Sequence, residues 1–267
     1  DEQGEGETMR RFAVICRRDE QSFQLKRQLR EKLSGAGWME DEQQPQTVFA
    51  IGGDGTFLFA VHHYLSRLET TEFLGIHTGT LGFFCDYGRD EIDQCVADVT
   101  GRTPQVEQAR LLEIELPGSS RPPLFAVNEV RVENVIKTQL IDIEINGITF
   151  ETFRGTGICL CTQLGSTAYN RSLGGAVVER DLPLLQLSEI TGIHHRAYRS
   201  LGSSLILNPE SRIRLSSASF EGAMLCYDHL YFHLDQEKEI RIRQSRQCLR
   251  IAHYRQIDYL HRLKILF

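Results

Sequence analysis

Residues 47–51 form an apolar run that stops at Gly52-Gly53-Asp54-Gly55-Thr56, after which Phe57, Val61, Leu65 and Leu68 recur at helical spacing. A strand delivered through a tight turn into a helix is the repeating unit of a parallel sheet with helical cover. Gly52, Gly53 and Gly55 lack a Cβ, so the turn can take positive φ and let bare backbone N–H groups approach a ligand. The start of the following helix adds unsatisfied donors and a partial positive charge, which suits an anion such as phosphate. Asp54 is out of place in such a cradle unless it binds a metal or a sugar hydroxyl, or takes a proton. The alternative is that Asp54 caps the helix and the glycines make an ordinary turn.

The surrounding pattern extends that architecture. Residues 12–16 read as a strand, and Leu25, Leu29 and Leu33 mark the buried stripe of a helix stopped by Gly35 and Gly37. Residues 73–76 are a third strand running into His77-Thr78-Gly79-Thr80-Leu81-Gly82-Phe83, and Ile92, Cys95, Val96 and Val99 mark a third helix. The predicted fold class is an α/β N-terminal domain with a parallel sheet over residues 9–105, with ligands expected beyond the carboxyl ends of its strands. Both glycine loops lie there.

Near Pro104 the helix period gives way to short alternating runs at 111–116, 125–132, 140–145, 148–153, 158–162, 212–216, 224–227, 231–234 and 240–242. Asn146-Gly147 between two of them is a hairpin signal. This predicts an all-β, sandwich-like C-terminal domain over residues 106–245, built of two packed antiparallel sheets, with one helical interruption between Thr167 and Ile190. In the segment 246–267, Ile257, Leu260 and Leu263 share one side of a helix that is expected to return to the first domain. Residues 1–8 are expected to be a disordered extension.

Composition narrows the function. Of the formal net charge of −6, Asp1, Glu2, Glu5 and Glu7 carry four in a segment without Lys or Arg. The remainder gives no electrostatic footprint for nucleic acid. Seven cysteines are scattered and never spaced as C-x-x-C, so neither a zinc site nor a disulfide framework is indicated. No uninterrupted apolar run approaches a membrane span, and a reducing cytoplasm is the expected location.

The Gly52–Thr56 stretch resembles the GGDGT signature shared by NAD kinases, diacylglycerol-type lipid kinases and, more loosely, phosphofructokinases. Asn128-Glu129, Gly165-Ser166-Thr167-Ala168-Tyr169, Thr78-Gly79, Leu81-Gly82-Phe83 and Tyr227-Asp228-His229 resemble NAD kinase segments in family order, and favour that family over the other two. The resemblance implies transfer of a phosphoryl group from ATP, or from polyphosphate, to the 2′-hydroxyl of the adenosine ribose of NAD, with Mg²⁺ or another divalent cation. It implies that Gly52, Gly53, Gly55 and Thr56 hold phosphate and that Asp54 is the catalytic base. It assigns Phe83, Asn128, Glu129, Arg154, Thr156, Thr167, Ala168, Tyr169, Ser172, Ile193, Asp228 and His229 to substrate binding, with no residue assigned as a metal ligand. A homodimer or homotetramer is implied by the same likeness. In chemical terms Asn128 offers donor and acceptor to a base edge, Glu129 a carboxylate to ribose hydroxyls, and Tyr169 a flat face for stacking. Taken singly, each has an ordinary alternative: a side chain closing a strand-end turn, a sheet-edge aromatic, and for His229 and Arg154 a solvated surface residue.

The chain departs from the family where G-D-G is replaced by Gly155-Thr156-Gly157, whose glycines read as a turn beside Arg154, and T-P-[ST]-G by Thr162-Gln163-Leu164-Gly165. Loss of the aspartate removes an acceptor for the dinucleotide, and bulk at Gln163-Leu164 is expected to loosen the loop leading to Thr167. Two further readings therefore stand beside an active NAD kinase: a dinucleotide-binding module with weak turnover, and a lipid or sugar kinase of the same superfamily.

Overall fold

A computed structural model describes residues 9–193, 200–256 and 258–267. The extension expected at residues 1–8, and Ile257 of the expected terminal helix, lie outside the described residues. The chain divides into two compact units, one comprising residues up to 108 together with those from 249, the other residues 109–248.

The first unit is built on β1 (Arg11–Cys16), α1 (Glu20–Gly35), β2 (Met39–Glu40), β3 (Thr47–Gly52), α2 (Asp54–His63), β4 (Glu72–His77), β5 (Cys85–Gly88) and α3 (Ile92–Gly101). β1 pairs in parallel with β2 and β3, β3 with β4, and β4 with β5. Side chains alternate across each strand, so Phe12, Val14, Phe49, Ile51, Leu74 and Ile76 join Leu25, Leu29 and Leu33 of α1 and Ile92, Cys95 and Val99 of α3 in one core. α2 brings Phe57 against Phe73, with ring centres 6.2 Å apart, and stacks it on Phe84 at 4.7 Å. Asp19 accepts the N–H of Ser22 at the start of α1, a cap worth about 1 kcal/mol.

The rest of the chain comprises β6 (Gln105–Glu115), β7 (Leu124–Ala126), β8 (Glu129–Glu133), β9 (Gln139–Ile145), β10 (Ile148–Thr162), α4 (Tyr169–Ser172), β11 (Leu185–Gly192), β12 (Leu205–Leu207), β13 (Ile213–Ser216), β14 (Met224–Tyr227), β15 (Leu230–His233), β16 (Glu239–His253) and α5 (Tyr259–Leu266). Within the second unit the pairing is antiparallel. β10 runs through its middle: residues 148–155 pair with β9, while residues 157–161 pair with β8 on one side and with β11 on the other. In the first unit, Arg250 and Ile251 of β16 pair in parallel with Glu72 and Phe73 of β4, and α5 belongs to this unit as well.

Several expectations need correcting. The strands expected at 148–153 and 158–162 are one strand, β10, and Gly155-Thr156-Gly157 lies inside it instead of forming a turn. The glycines are there for close packing. A Cβ on Gly155 would meet the Thr191 carbonyl oxygen and one on Gly157 the Val132 carbonyl oxygen, both backbone atoms of neighbouring strands. Because β10 belongs to both halves of the ladder, the two sheets expected in this unit are linked by unbroken pairing. The strand expected at 125–132 breaks into β7 and β8, since Val127 and Asn128 give their N–H groups to the Asp228 carboxylate. The helical interruption shrinks to α4, and the alternating residues after Pro183 form β11.

Candidate functional site

In the first unit α2 begins where β3 ends, so the glycines sit at the carboxyl edge of the parallel sheet. Gly53 is extended, with φ −160° and ψ −170°, and occupies the cap position, while Gly55 lies inside the first turn. Of the three, only Gly52 has positive φ, at 159° and close to extended backbone, so conformational need does not account for the set. Packing accounts for Gly52, where a Cβ would run into Thr56 Oγ1. At Gly53, Gly55 and Gly79 a Cβ would meet nothing within 4 Å. Glycine at positions that neither conformation nor packing requires leaves bare backbone that a ligand can approach closely.

Asp54 does not cap α2. Its carboxylate accepts the N–H of Phe83 and the N–H of Phe84, each at 2.9 Å, and Gly82 makes the approach possible, because a Cβ there would collide with that carboxylate. A carboxylate has about four acceptor sites, so two backbone bonds leave Asp54 able to take a third donor. The Phe83 ring lies 6.4 Å from Tyr259 and 5.9 Å from Phe267.

In the second unit the break between β7 and β8 positions two side chains. Asp228 lies in the turn between β14 and β15 with φ 50°, and its carboxylate accepts Val127 N at 2.7 Å and Asn128 N at 2.8 Å. Thr162 closes the other side, its N–H donating to Asn128 O at 3.0 Å and its hydroxyl to Val127 O at 2.7 Å. Asn128 and Glu129 are thereby buried, yet Asn128 Oδ1 and Glu129 Oε2 have no hydrogen-bond partner among the described residues, and neither does Gln163 Oε1 next to Thr162. Burial, reinforced by the charge of Asp228, pushes Glu129 up to about 7, against the opposing pull of Arg131 and the Tyr169 N–H.

Tyr169 opens α4 with one face already covered, since the Arg131 guanidinium carbon lies 3.9 Å from its ring centre and Arg131 pairs with Glu133 at 2.7 Å. The segment before it is not loosened by its departures from the family pattern. Gln163 and Leu164 are turned into the interior, and a buried polar network pins the chain from Ser166 onward. Asn170 Nδ2 donates to Ser166 O at 3.2 Å, Ser188 Oγ to Asn170 Oδ1 at 3.1 Å, and Gln186 exchanges two bonds with the Ala176 backbone at 2.7 and 3.0 Å. Thr167 and Ala168 sit half-buried between these anchors and Tyr169.

The remaining predicted residues are exposed or half-buried. Arg154 and Thr156 project from β10 on the face opposite Gly155 and Gly157, and the N–H of the half-exposed Ile193 donates to Arg154 O at 2.7 Å. Ser172 ends α4 in an exposed position, and His229 is exposed beside Asp228. Sequence reasoning missed Arg131, although its alternation with Glu129 and Glu133 on one strand was a signal. It also missed Asn170 and Ser188, whose roles depend on contacts remote in sequence.

The first unit is thus an α/β unit with a bare-backbone helix start at the carboxyl edge of its parallel sheet, an arrangement of the kind nucleotide-binding proteins use for phosphate. The family model of the ATP-NAD kinase C-terminal domain matches residues 127–254. NAD kinase 1 of Halalkalibacterium halodurans is 36% identical over 260 residues, which is 96% of this chain and 98% of that protein. The NAD kinase of Geobacillus stearothermophilus is 35% identical over 259 residues, 96% of each. Among solved structures, yeast NADH kinase complexed with NADH superposes with a TM-score of 0.80 at 20% identity, over 97% of this chain and 87% of that one. An NAD kinase from Archaeoglobus fulgidus in complex with ATP does so at 0.74 and 22%, over 95% and 97%. The chain belongs to the NAD kinase family.

Proposed function

We propose that this chain transfers the γ-phosphoryl group of ATP to the 2′-hydroxyl of the adenosine ribose of NAD, making NADP. The observation that carries the reading is the trio of buried acceptors Asn128 Oδ1, Glu129 Oε2 and Gln163 Oε1, which have no donors among the described residues. An unmet buried acceptor costs about 1–3 kcal/mol, and a dinucleotide brings donors in its ribose hydroxyls and exocyclic amines. The names of relatives at 34–36% identity support NAD as the acceptor substrate, and identity spread along 96% of the chain disfavours a lipid or sugar kinase and a module without turnover.

In this reading the backbone at Gly52, Gly53 and Gly55, with Thr56, holds phosphate, and Asp54 orients the ribose hydroxyl and accepts its proton. Asn128 and Glu129 hold the dinucleotide, Asp228 shapes the turn that presents them, and Tyr169 stacks on a base with the face opposite Arg131. Phe83, Arg154, Thr156, Thr167, Ala168, Ser172, Ile193 and His229 supply further substrate contacts. Thr156 makes a neutral hydrogen bond where the family places a charged one. Mg²⁺ or another divalent cation, arriving with ATP, would supply neutralisation of the phosphate charge in the transfer. Among the described residues no group of three or more His, Cys, Asp or Glu side chains is arranged to hold a metal ion, and the cation is taken as part of the ATP substrate. A homodimer or homotetramer, a cytoplasmic location and the use of polyphosphate are carried by family resemblance. No helix among the described residues is long and apolar enough to cross a membrane.

Calorimetric titration with NAD tests the carrying observation. Glu129→Gln replaces a charge-assisted acceptor by a neutral one, so affinity is expected to fall by about tenfold. Unchanged affinity would remove Glu129 from the dinucleotide site.

A further inference from the structure

The N–H groups that meet Asp54 belong to a peptide segment that is itself gripped from the other side by the end of the chain. Arg262 of α5 is buried, with 7% of its surface exposed, and its guanidinium donates to the Phe83 carbonyl at 2.7 Å and to Asp86 Oδ1 at 3.1 Å. The N–H of the same Phe83 donates to Asp54. A single residue therefore separates the last helix from the carboxylate at the start of α2. Asp86 is held in turn, since its Oδ2 lies 2.6 Å from His253 Nδ1, and His253 Nε2 lies 2.9 Å from Glu107 Oε2. The Phe83 ring is flanked by Tyr259 and Phe267 at either end of α5. A planar guanidinium can fix a carbonyl and a carboxylate at a set separation and angle, which an ammonium group cannot.

We propose that Arg262 is a positioning residue for phosphoryl transfer: by gripping the Phe83 carbonyl and Asp86 together, it fixes the Phe83 and Phe84 N–H groups that aim the Asp54 carboxylate. The catalytic geometry of the first unit is thus completed by the last helix of the chain. The inference rests on the assignment of Asp54 as the proton acceptor. It explains why an arginine is buried there with a carbonyl as one of its partners, where a carboxylate pair alone would satisfy the charge.

The test is a cycle of substitutions. Arg262→Lys and Arg262→Met are made in the native chain and in Asp54→Asn, and kcat, KM for NAD and the unfolding midpoint are measured with MgATP saturating. Misplacing a reacting group by about 1 Å can cost on the order of a hundredfold, so Arg262→Met should lower kcat by roughly 10–100-fold with KM changed by less than about twofold. Arg262→Lys keeps the charge beside Asp86 and the fold with it, loses the two-point grip, and should fall between. In Asp54→Asn the same substitutions should change the residual turnover by less than about twofold, because the carboxylate they aim is gone. Unchanged kcat in the folded variants would overturn the proposal, and so would equal losses in both backgrounds, which would make Arg262 a support of the fold at large. Full turnover in Asp54→Asn alone would instead remove Asp54 as the acceptor, and its positioning by Arg262 with it.

Discussion

Glu129 sits near half-protonation at neutral pH because burial and Asp228 raise it from its ordinary 4.5 to about 7. A carboxyl group whose folded value is raised binds its proton more tightly in the folded state, so the protein loses stability as pH rises from about 4.5 through 7 and bears the whole cost above that. A carboxyl group buried in this way is thus expected to destabilise the protein at alkaline pH. Glu129→Gln should raise the stability of the free protein at pH 8 by about 2 kcal/mol, since each tenfold gain in proton affinity on folding corresponds to about 1.4 kcal/mol and part of the effect is screened. Urea denaturation at pH 8 and pH 4.5 checks this, with the gain at pH 8 expected to vanish at pH 4.5. A gain that is the same at both would trace to packing and not to the charge.

At the scale of elements, the two kinds of glycine behave oppositely. Gly157 lies in β10 against the Val132 carbonyl of β8, a backbone atom that cannot swing aside. Gly157→Ala should lower stability by about 1–3 kcal/mol or more, as overpacking does. Gly53→Ala, where a Cβ meets nothing within 4 Å, should stay within about 0.5 kcal/mol in stability and weaken catalysis. Unfolding curves and initial rates on both variants check the contrast, and a strongly destabilised Gly53→Ala would mean that its glycine serves the fold. The difference also marks how far the sequence could be read. The strand-turn-helix at Gly52 was legible because apolar periodicity switches within a few residues, and so was the Asn146-Gly147 hairpin, whose residues take φ 53° and 81°. Gly155 and Gly157 looked like a turn because glycine in a strand is unusual, and only the neighbouring strands explain them. The same holds within the candidate site. Asn128, Glu129 and Tyr169 stood out by type and order, whereas Asn170, Ser188, Arg131 and Arg262 act through partners that local spacing does not reveal.

On the scale of the molecule, the His253 cluster ties β5, β6, β16 and α5 within the first unit. Burial pulls His253 down, but its hydrogen bonds to Asp86 and Glu107 prevail and raise it from 6.5 to about 9. A histidine whose folded value is raised contributes stability that is fully present below 6.5 and is lost as pH rises through about 9. The unfolding midpoint should therefore fall by several degrees between pH 6.5 and pH 9.5, a window above that of Glu129. His253→Gln should lower the midpoint at pH 6.5 and flatten that dependence, and an unflattened slope would place the titrating group elsewhere. The proposed activity is the claim on which the other predictions rest. The purified chain, incubated with NAD, ATP and Mg²⁺ and followed by phosphorus NMR, should yield NADP carrying its new phosphate on the 2′-oxygen of the adenosine ribose; NAD bound in calorimetry with no NADP formed would contradict it.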